Sequence, residues 1–423
     1  MARRTRLAAA ALAVSVAVAL AGCTADPRPP DDPVPSGTQP EDLKLPEGVT
    51  YKESVRKLDG EESSHVRVLT IRPDAKVRVA GMHGPAVAHA ETVRKMAESF
   101  GALAAVNASF FDISTGKSYA GYDGDPLGLY TEGGKVLSEA IKGRPTLLLG
   151  YNRGKLSARV DEVSTDGVVV SDDGVPQELD GINRVPGRVL GCGGVGGDLL
   201  AVTEEPMQEP YGGLCTDTDE LVAFTPEWGE RTPPGPPGSM EVLLDADGRV
   251  TSVRKPAGGA VPKNGSTLYG IGTGTDWLRT NAQPGAALTT SFVMNDASGA
   301  VVPGPVETAV GGRYRLLRDG VPDIGEPTSP TKTAPRTAVG VTKNGSLLLV
   351  TIDGRAPGVD AGATVMQTAK LMASLGARDA LMFDGGGSTT MIVRDELRNT
   401  PRGAEGAEPS ERPVANGIGI FEQ

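Results

Sequence analysis

The amino-acid sequence predicts an α+β fold, a single mixed β-sheet-rich domain with a few helices packed on the sheets. Three observations carry that expectation. Its 57 glycines and 33 prolines make up about a fifth of 423 residues, against a usual share of about 12%, so much of the chain must lie in turns and short connections. Strand-like runs recur from residue 65 onward, and only two segments have helical spacing.

The amino-terminal segment reads as an address. Arg3, Arg4 and Arg6 precede an apolar run from Leu7 to Leu20, the pattern of a secretory signal over residues 1–22. Leu20-Ala21-Gly22-Cys23 resembles a bacterial lipobox, which implies that Cys23 becomes the lipid-bearing first residue; the other reading is a plain signal peptide with a chance cysteine. Residues 23–50 form a Pro-rich tether with too little apolar content to fold. No later segment is apolar over the roughly 18 residues that a spanning helix needs. The mature chain is therefore expected to be anchored on the extracytoplasmic face of the cell membrane through Cys23. Loss of residues 1–22 removes three arginines and moves the formal charge from −11 to −14.

Residues 51–423 read as one domain. Its strands are expected at His65–Ile71, Lys76–Val79, Thr146–Leu149, Gly167–Val170, Leu221–Phe224, Met240–Leu244 and Ser346–Ile352. The helices are expected at His89–Phe100 and Ala361–Leu375, each ending before a glycine. Both helices lead through a Ser-apolar-Gly-Ala turn into a strand that delivers polar residues at its end: Asn107 and Ser109 in one, Asp384 and Gly385 to Gly387 in the other. Sites in α/β proteins commonly lie at such strand ends. An insertion around residues 189–217 holds Cys192 and Cys215, an even pair that reads as a disulfide outside the cytoplasm, with two buried free thiols as the alternative.

Charge and composition exclude several classes of function. A net acidic chain does not present the dominant basic field of a nucleic-acid binder. His65, His83 and His89, the only histidines, all lie in the first quarter, which leaves little for a histidine metal site or a Ser-His-Asp triad. Chemistry is expected on carboxylates and arginines, with no metal, cofactor or protein partner.

The strongest chemical signal is Phe383-Asp384-Gly385-Gly386-Gly387-Ser388-Thr389-Thr390-Met391. Consecutive glycines let backbone N–H groups approach an anion, Ser388 and Thr389 add hydroxyl donors, and Asp384 stands at the lip as a carboxylate that could act on a group bonded to phosphate. A tight glycine turn with an Asx cap is the plainer reading. A second segment, residues 336–355, reads as a hairpin turning at Lys343-Asn344-Gly345. Its pairing brings Arg336 near Asp353, either as a phosphate-holding pair or as a structural ion pair. Arg355 follows Asp353 closely. Asn107 and Asn416 could face the same site and hydrogen-bond a sugar.

Asn-x-x-Phe-Phe from Asn107, Asp-x-Pro-x-Gly from Asp125, Arg-Thr-Ala-x-Gly from Arg336, Asp353-Gly-Arg and the Asp384 motif, in this order, resemble the phosphodiester glycosidase family. The resemblance covers about residues 85–423 and implies hydrolysis of a sugar-1-phosphodiester at the anomeric carbon, with envelope glycans as the expected substrates. It implies Asp384, Asp353 and Arg336 as catalytic residues, with nucleophile and base roles unassigned between the two carboxylates. Asn107, Gly385, Gly386, Gly387, Ser388, Thr389, Arg355 and Asn416 are the implied substrate contacts. Ala108 and Ser109 stand where the family often has two glycines, which implies a different substrate shape. A non-catalytic wall-polysaccharide binder and a phosphodiesterase acting at phosphorus are the competing readings.

Overall fold

The computed structural model describes residues 43–59, 62–113, 122–192, 197–205, 213–325 and 331–423. The signal segment, Cys23 and most of the tether lie outside them. Folded structure begins earlier than Tyr51: Leu43 and Val49 are both buried in the first core, so the last part of the expected tether belongs to the domain.

The elements that build the site are β1 (Val49–Lys57), β2 (Ser63–Ile71), β3 (Val77–His83), α1 (Val93–Phe100), β4 (Ala104–Asn107), α2 (Thr273–Asn281), β5 (Tyr314–Arg318), β6 (Arg336–Thr342), β7 (Leu347–Ile352), α3 (Val365–Ser374), β8 (Ala377–Met382), β9 (Met391–Val393) and β10 (Asn416–Glu422). A seven-stranded antiparallel sheet runs β1-β2-β7-β6-β8-β5 and ends on residues 321–322. A five-stranded antiparallel sheet runs β3-β10-β4-β9 and ends on residues 396–397.

Residue parity shows how the sheets pack. Leu69, Ile71, Val339, Val341, Leu347 and Leu349 face one core together with Val77, Val79, Val106, Ile418 and Ile420 of the other sheet. Their in-between neighbours Val66, Val68, Ala338, Leu348 and Val350 face α3 through Val365, Ala369 and Met372. Ala80, Met82, Ala105 and Ile392 face α1 through Val93, Met96 and Ala97. The result is four layers, helix on sheet on sheet on helix. Strands covered on both faces explain why Leu347–Ile352 is a continuous apolar run rather than an alternating one. Two further five-stranded sheets, which include Pro145–Asn152 and Met240–Leu244, share a separate core.

Among the described residues there are three α-helices against many strands, so the domain is mostly β and the α+β expectation overstates its helices. The two expected helices start four residues later than read. Thr92 and Thr364 cap them by accepting backbone N–H groups of Lys95 and Gln367, and side-chain caps override apolar periodicity at a helix start. Cys192 and Cys215 form a buried disulfide at the base of a small three-stranded sheet inside the insertion.

Candidate functional site

One end of the sandwich collects the polar strand ends. Arg336 opens β6 opposite Ile352, the last residue of β7, and Ala338 pairs with Met382, two residues before Asp384. In the facing sheet, Asn107 ends β4 opposite Gly417, and Met391 opens β9 opposite Val106. The two helix-to-strand units converge here. Asn107 Nδ2 donates to the Asp384 carbonyl at 2.8 Å, and the Asp384 N–H donates to the Ala108 carbonyl at 2.9 Å.

Asp384 is the centre of the site. Protein atoms crowd its carboxyl while it keeps some solvent contact, and burial pushes its pKa up to about 6 despite four opposing influences. The Gly385 N–H donates to it at 2.9 Å, the Arg412 and Arg313 guanidinium groups attract its charged form, and the Ser388 hydroxyl lowers it from a position short of hydrogen-bond geometry. Ser388, Thr389 and Thr390 each hold a buried hydroxyl with no hydrogen-bond partner. Three successive orphans are unusual in a folded interior.

Two of the three glycines pack against guanidinium groups and the third against backbone. A Cβ on Gly387 would lie 2.6 Å from Arg412 Nη2 and one on Gly386 2.9 Å from Arg355 Nη2, whereas one on Gly385 would meet the Pro335 carbonyl oxygen at 2.8 Å, with Arg336 Cα and Cδ at 3.7 Å. Gly386 also has φ of 61°, which a residue with a side chain rarely adopts. This changes the reading of the loop. The Gly386, Ser388 and Thr389 N–H groups donate to Pro335, Gly385 and Gly386 carbonyls, and that of Gly385 is held by Asp384, so the expected backbone cradle for phosphate is largely committed within the protein. Positive charge at the site comes from guanidinium groups instead.

These arginines differ in freedom. Arg336 donates through Nε to the Ala363 carbonyl at 2.8 Å and through Nη2 to that of Lys332 at 2.9 Å; burial lowers its pKa. Arg355, in a left-handed backbone conformation, donates to the carbonyls of Arg402 and Gly403, and burial with the Arg412 charge lowers its pKa. Arg313 lies 5.7 Å over the Phe110 ring and 5.5 Å over that of Tyr314. Sequence reasoning missed Arg313 and Arg412 as site residues. The Gly311-Gly312 pair before Arg313, and the position of Arg412 four residues ahead of Asn416, were the available signals.

Asp353 does not join Arg336. The two residues leave the hairpin on opposite faces, Arg336 toward the start of α3 and Asp353 toward the inter-sheet layer, where Arg67 Nη1 donates to its Oδ2 at 2.6 Å. Thr400 N–H and Asn399 Nδ2 donate to its Oδ1 at 3.1 and 3.4 Å. A catalytic role for Asp353 is therefore replaced by a positioning one. His65 and Asp360 lie beside it with ligand atoms within 4.8 Å of one another, but the Arg67 cation already occupies the Asp353 carboxylate, which disfavours a metal there.

The two asparagines are also positioning residues rather than sugar contacts. Asn107 Oδ1 accepts from the Thr337 hydroxyl at 2.7 Å and the Thr390 N–H at 3.1 Å. Asn416 clasps Ser109, accepting its N–H at 2.8 Å and donating to its Oγ at 3.1 Å. Ala108 is buried in the inter-sheet core and Ser109 is held by Asn416, so neither side chain shapes the cleft. A partly open cavity of about 190 Å³ whose lining includes none of the four arginines is lined by Asp112, Asp125, Glu139, Asp180, Arg184 and Glu220 among others.

Asp384, its pKa raised by burial, thus lies at the shared end of two packed sheets, in electrostatic contact with Arg313, Arg336, Arg355 and Arg412. Residues 240–421 match the family of phosphodiester glycosidases, which shows the family resemblance over a span holding Arg313, Arg336, Arg355, Asp384 and Arg412. Among solved structures, a Burkholderia pseudomallei protein described as exported is 27% identical with a TM-score of 0.72, covering 85% of this chain and 74% of its own. A Synechocystis protein shares the fold at 19% identity and a TM-score of 0.66, covering 89% of this chain and 62% of its own. The catalytic domain of zebrafish N-acetylglucosamine-1-phosphodiester alpha-N-acetylglucosaminidase, auto-inhibited by its pro-peptide, aligns at 14% identity and a TM-score of 0.44, over 92% of this chain and 87% of its own. No curated protein sequence matches the chain.

Proposed function

We propose that the protein is an exported hydrolase of sugar-1-phosphodiesters, anchored through Cys23 and acting on cell-envelope glycans. The observation that carries the reading is Asp384, a carboxylate with a pKa near 6 among Arg313, Arg336, Arg355 and Arg412. In this reaction the oxygen of water bonds to the anomeric carbon, the bond from that carbon to the phosphate oxygen breaks, and the phosphomonoester leaves with the electron pair. A phosphate leaving group is already acidic and needs little protonation. Arginines that stabilise its charge, and a carboxylate facing the oxocarbenium-like carbon, meet what the transition state requires. Asp384 in its ionised form takes the proton from water or attacks the carbon itself, and the anomeric configuration of the released sugar separates the two.

The test is hydrolysis of N-acetylglucosamine-1-phosphodiesters and wall teichoic fragments in ¹⁸O-labelled water. Label in the sugar supports the proposal. Label in the phosphate supports attack at phosphorus, and binding without product supports a non-catalytic glycan binder.

A further inference from the structure

The end of the seven-stranded sheet opposite Asp384 has a charge pattern of its own. Arg336, Ile352 and Val66 lie in line at the Asp384 end, whereas Val49, Ile71 and Leu347 lie in line at the other. Three turns meet there. The Pro73 carbonyl, in the turn from β2 to β3, accepts the Leu156 N–H at 2.8 Å, and a Cβ on Gly345 would lie 3.3 Å from the Pro73 ring. Arg153 and Lys155, where strand Pro145–Asn152 turns into strand Lys155–Glu162, line one groove with Pro73 and Asn344. Lys44 and Lys76 line the next. The turns thus carry Arg72, Lys76, Arg153, Lys155 and Lys343, all exposed, and Lys44 joins them from the entering chain. Few carboxylates balance them. Asp74 and Glu47 both approach Arg72, at 2.9 and 3.8 Å, while Glu422 is taken by Arg394 at 2.9 Å. With the terminal carboxylate of Gln423 in the groove of Lys44 and Lys76, six cations meet three carboxylates, an excess of three positive charges in a chain of formal charge −11.

We infer that this end docks on an anionic phospholipid bilayer, with Arg153, Lys155 and Lys343 on the headgroup phosphates and Asp384 held at the far end of the sandwich. The choice of a lipid surface over a soluble polyanion rests on the Cys23 anchor of the proposed function. The chain enters the described structure at this end, through Leu43 and Lys44, and is tied to the basic turn: Arg72 N–H donates to the Gly48 carbonyl and Lys76 N–H to that of Glu47. An anchored segment therefore draws this end, and not the Asp384 end, toward the membrane. Each Lys or Arg beside an anionic bilayer strengthens binding about fivefold, an attraction that fades within about 10 Å in 0.1 M salt. The seven residues of β6 rise about 3.4 Å each, so the Asp384 end stands roughly 20 Å beyond the basic turns, a position suited to a glycan outside the bilayer.

The experiment places the whole mature protein on vesicles of phosphatidylcholine, alone or mixed with phosphatidylglycerol, and follows acylation of individual lysines by mass spectrometry. Lys155 and Lys343 are expected to react about fivefold or more slowly on the phosphatidylglycerol vesicles. In about 1 M salt, where charges act only within about 3 Å, the two vesicles should give equal rates. Lys142 and Lys263, exposed elsewhere on the chain, should react alike throughout. Equal rates at Lys155 and Lys343 on the two vesicles at low salt, or equal slowing of all four lysines, would overturn the inference. So would slowing by soluble polyglutamate that phosphatidylglycerol vesicles do not reproduce. The mass of the amino-terminal peptide reports the lipid on Cys23 separately. Protein that lacks this lipid, yet is protected at Lys155 and Lys343 by phosphatidylglycerol vesicles, keeps the docking face and removes the anchor from the proposed function.

Discussion

Arg67 and Asp353 form a buried ion pair, Nη1 to Oδ2 at 2.6 Å, across two neighbouring strands of the seven-stranded sheet. Through Asn399, which donates to both Asp353 and the Thr389 carbonyl, the pair reaches the loop that follows Asp384. Removing one partner of a buried pair strands the other charge. Asp353→Asn and Arg67→Met are each expected to lower stability by about 3–5 kcal/mol, measured by urea unfolding. A stable Asp353→Asn protein without activity would instead return Asp353 to the chemistry.

Asp384→Asn separates the two carboxylates. It is expected to lower kcat by about 100- to 10,000-fold, the usual worth of a positioned acid–base group, while leaving the fold intact by circular dichroism. If Asp384 acts in the ionised form as proposed, kcat/KM of the unaltered protein is expected to rise with pH through about 6. A profile that falls through that point would assign it as an acid.

Gly386 and Gly387 call for different outcomes from the same substitution. Alanine at 386 meets a φ of 61° and is expected to cost about 1–2 kcal/mol. Alanine at 387 meets only the movable end of Arg412, 2.6 Å away, so stability is expected to hold while affinity for inorganic phosphate falls. Thermal melts and anion titration on the two variants check both halves.

Burial pushes the Asp180 carboxyl up to about 7. A carboxyl whose pKa is higher folded than unfolded binds more protons when folded, so its contribution to stability is present at low pH and is lost as pH rises from about 4 to about 7. Asp180→Asn retains an acceptor for the Leu221 N–H and is expected to raise Tm at pH 8 and flatten its pH dependence. An identical pH profile in the variant would show that Asp180 does not titrate in this way.

Cys192 and Cys215 close a loop across a sequence separation of 23. Replacing both with alanine is expected to cost about 3 kcal/mol by restoring entropy to the unfolded chain. Denaturant unfolding with and without reductant should give matching losses.

Much of this arrangement was legible in the sequence where local chemistry governs it. Asn344-Gly345 set the hairpin and its register, and the Asp384 motif marked the end of a strand. Helix α2 was not legible. Its start, Gly272-Thr273-Gly274-Thr275, carries no apolar stripe, and Gly272 has no side chain to cap it. The pairing of Asp353 with Arg336 was misread because the partner of Asp353, Arg67, lies 286 residues earlier, while strand parity sends the two side chains to opposite faces. Arg313 and Arg412 reach Asp384 only through tertiary packing, which no local pattern records.

Strand β10 lies inside its sheet, between β3 and β4, although it is made some 300 residues after them. During synthesis β3 and β4 cannot complete their pairing until residues 416–422 have been made. Arg412 and the Asn416 clasp on Ser109 arrive with the same stretch. A chain that ends before residue 412 thus lacks both the central strand of this sheet and one of the cations that act on Asp384.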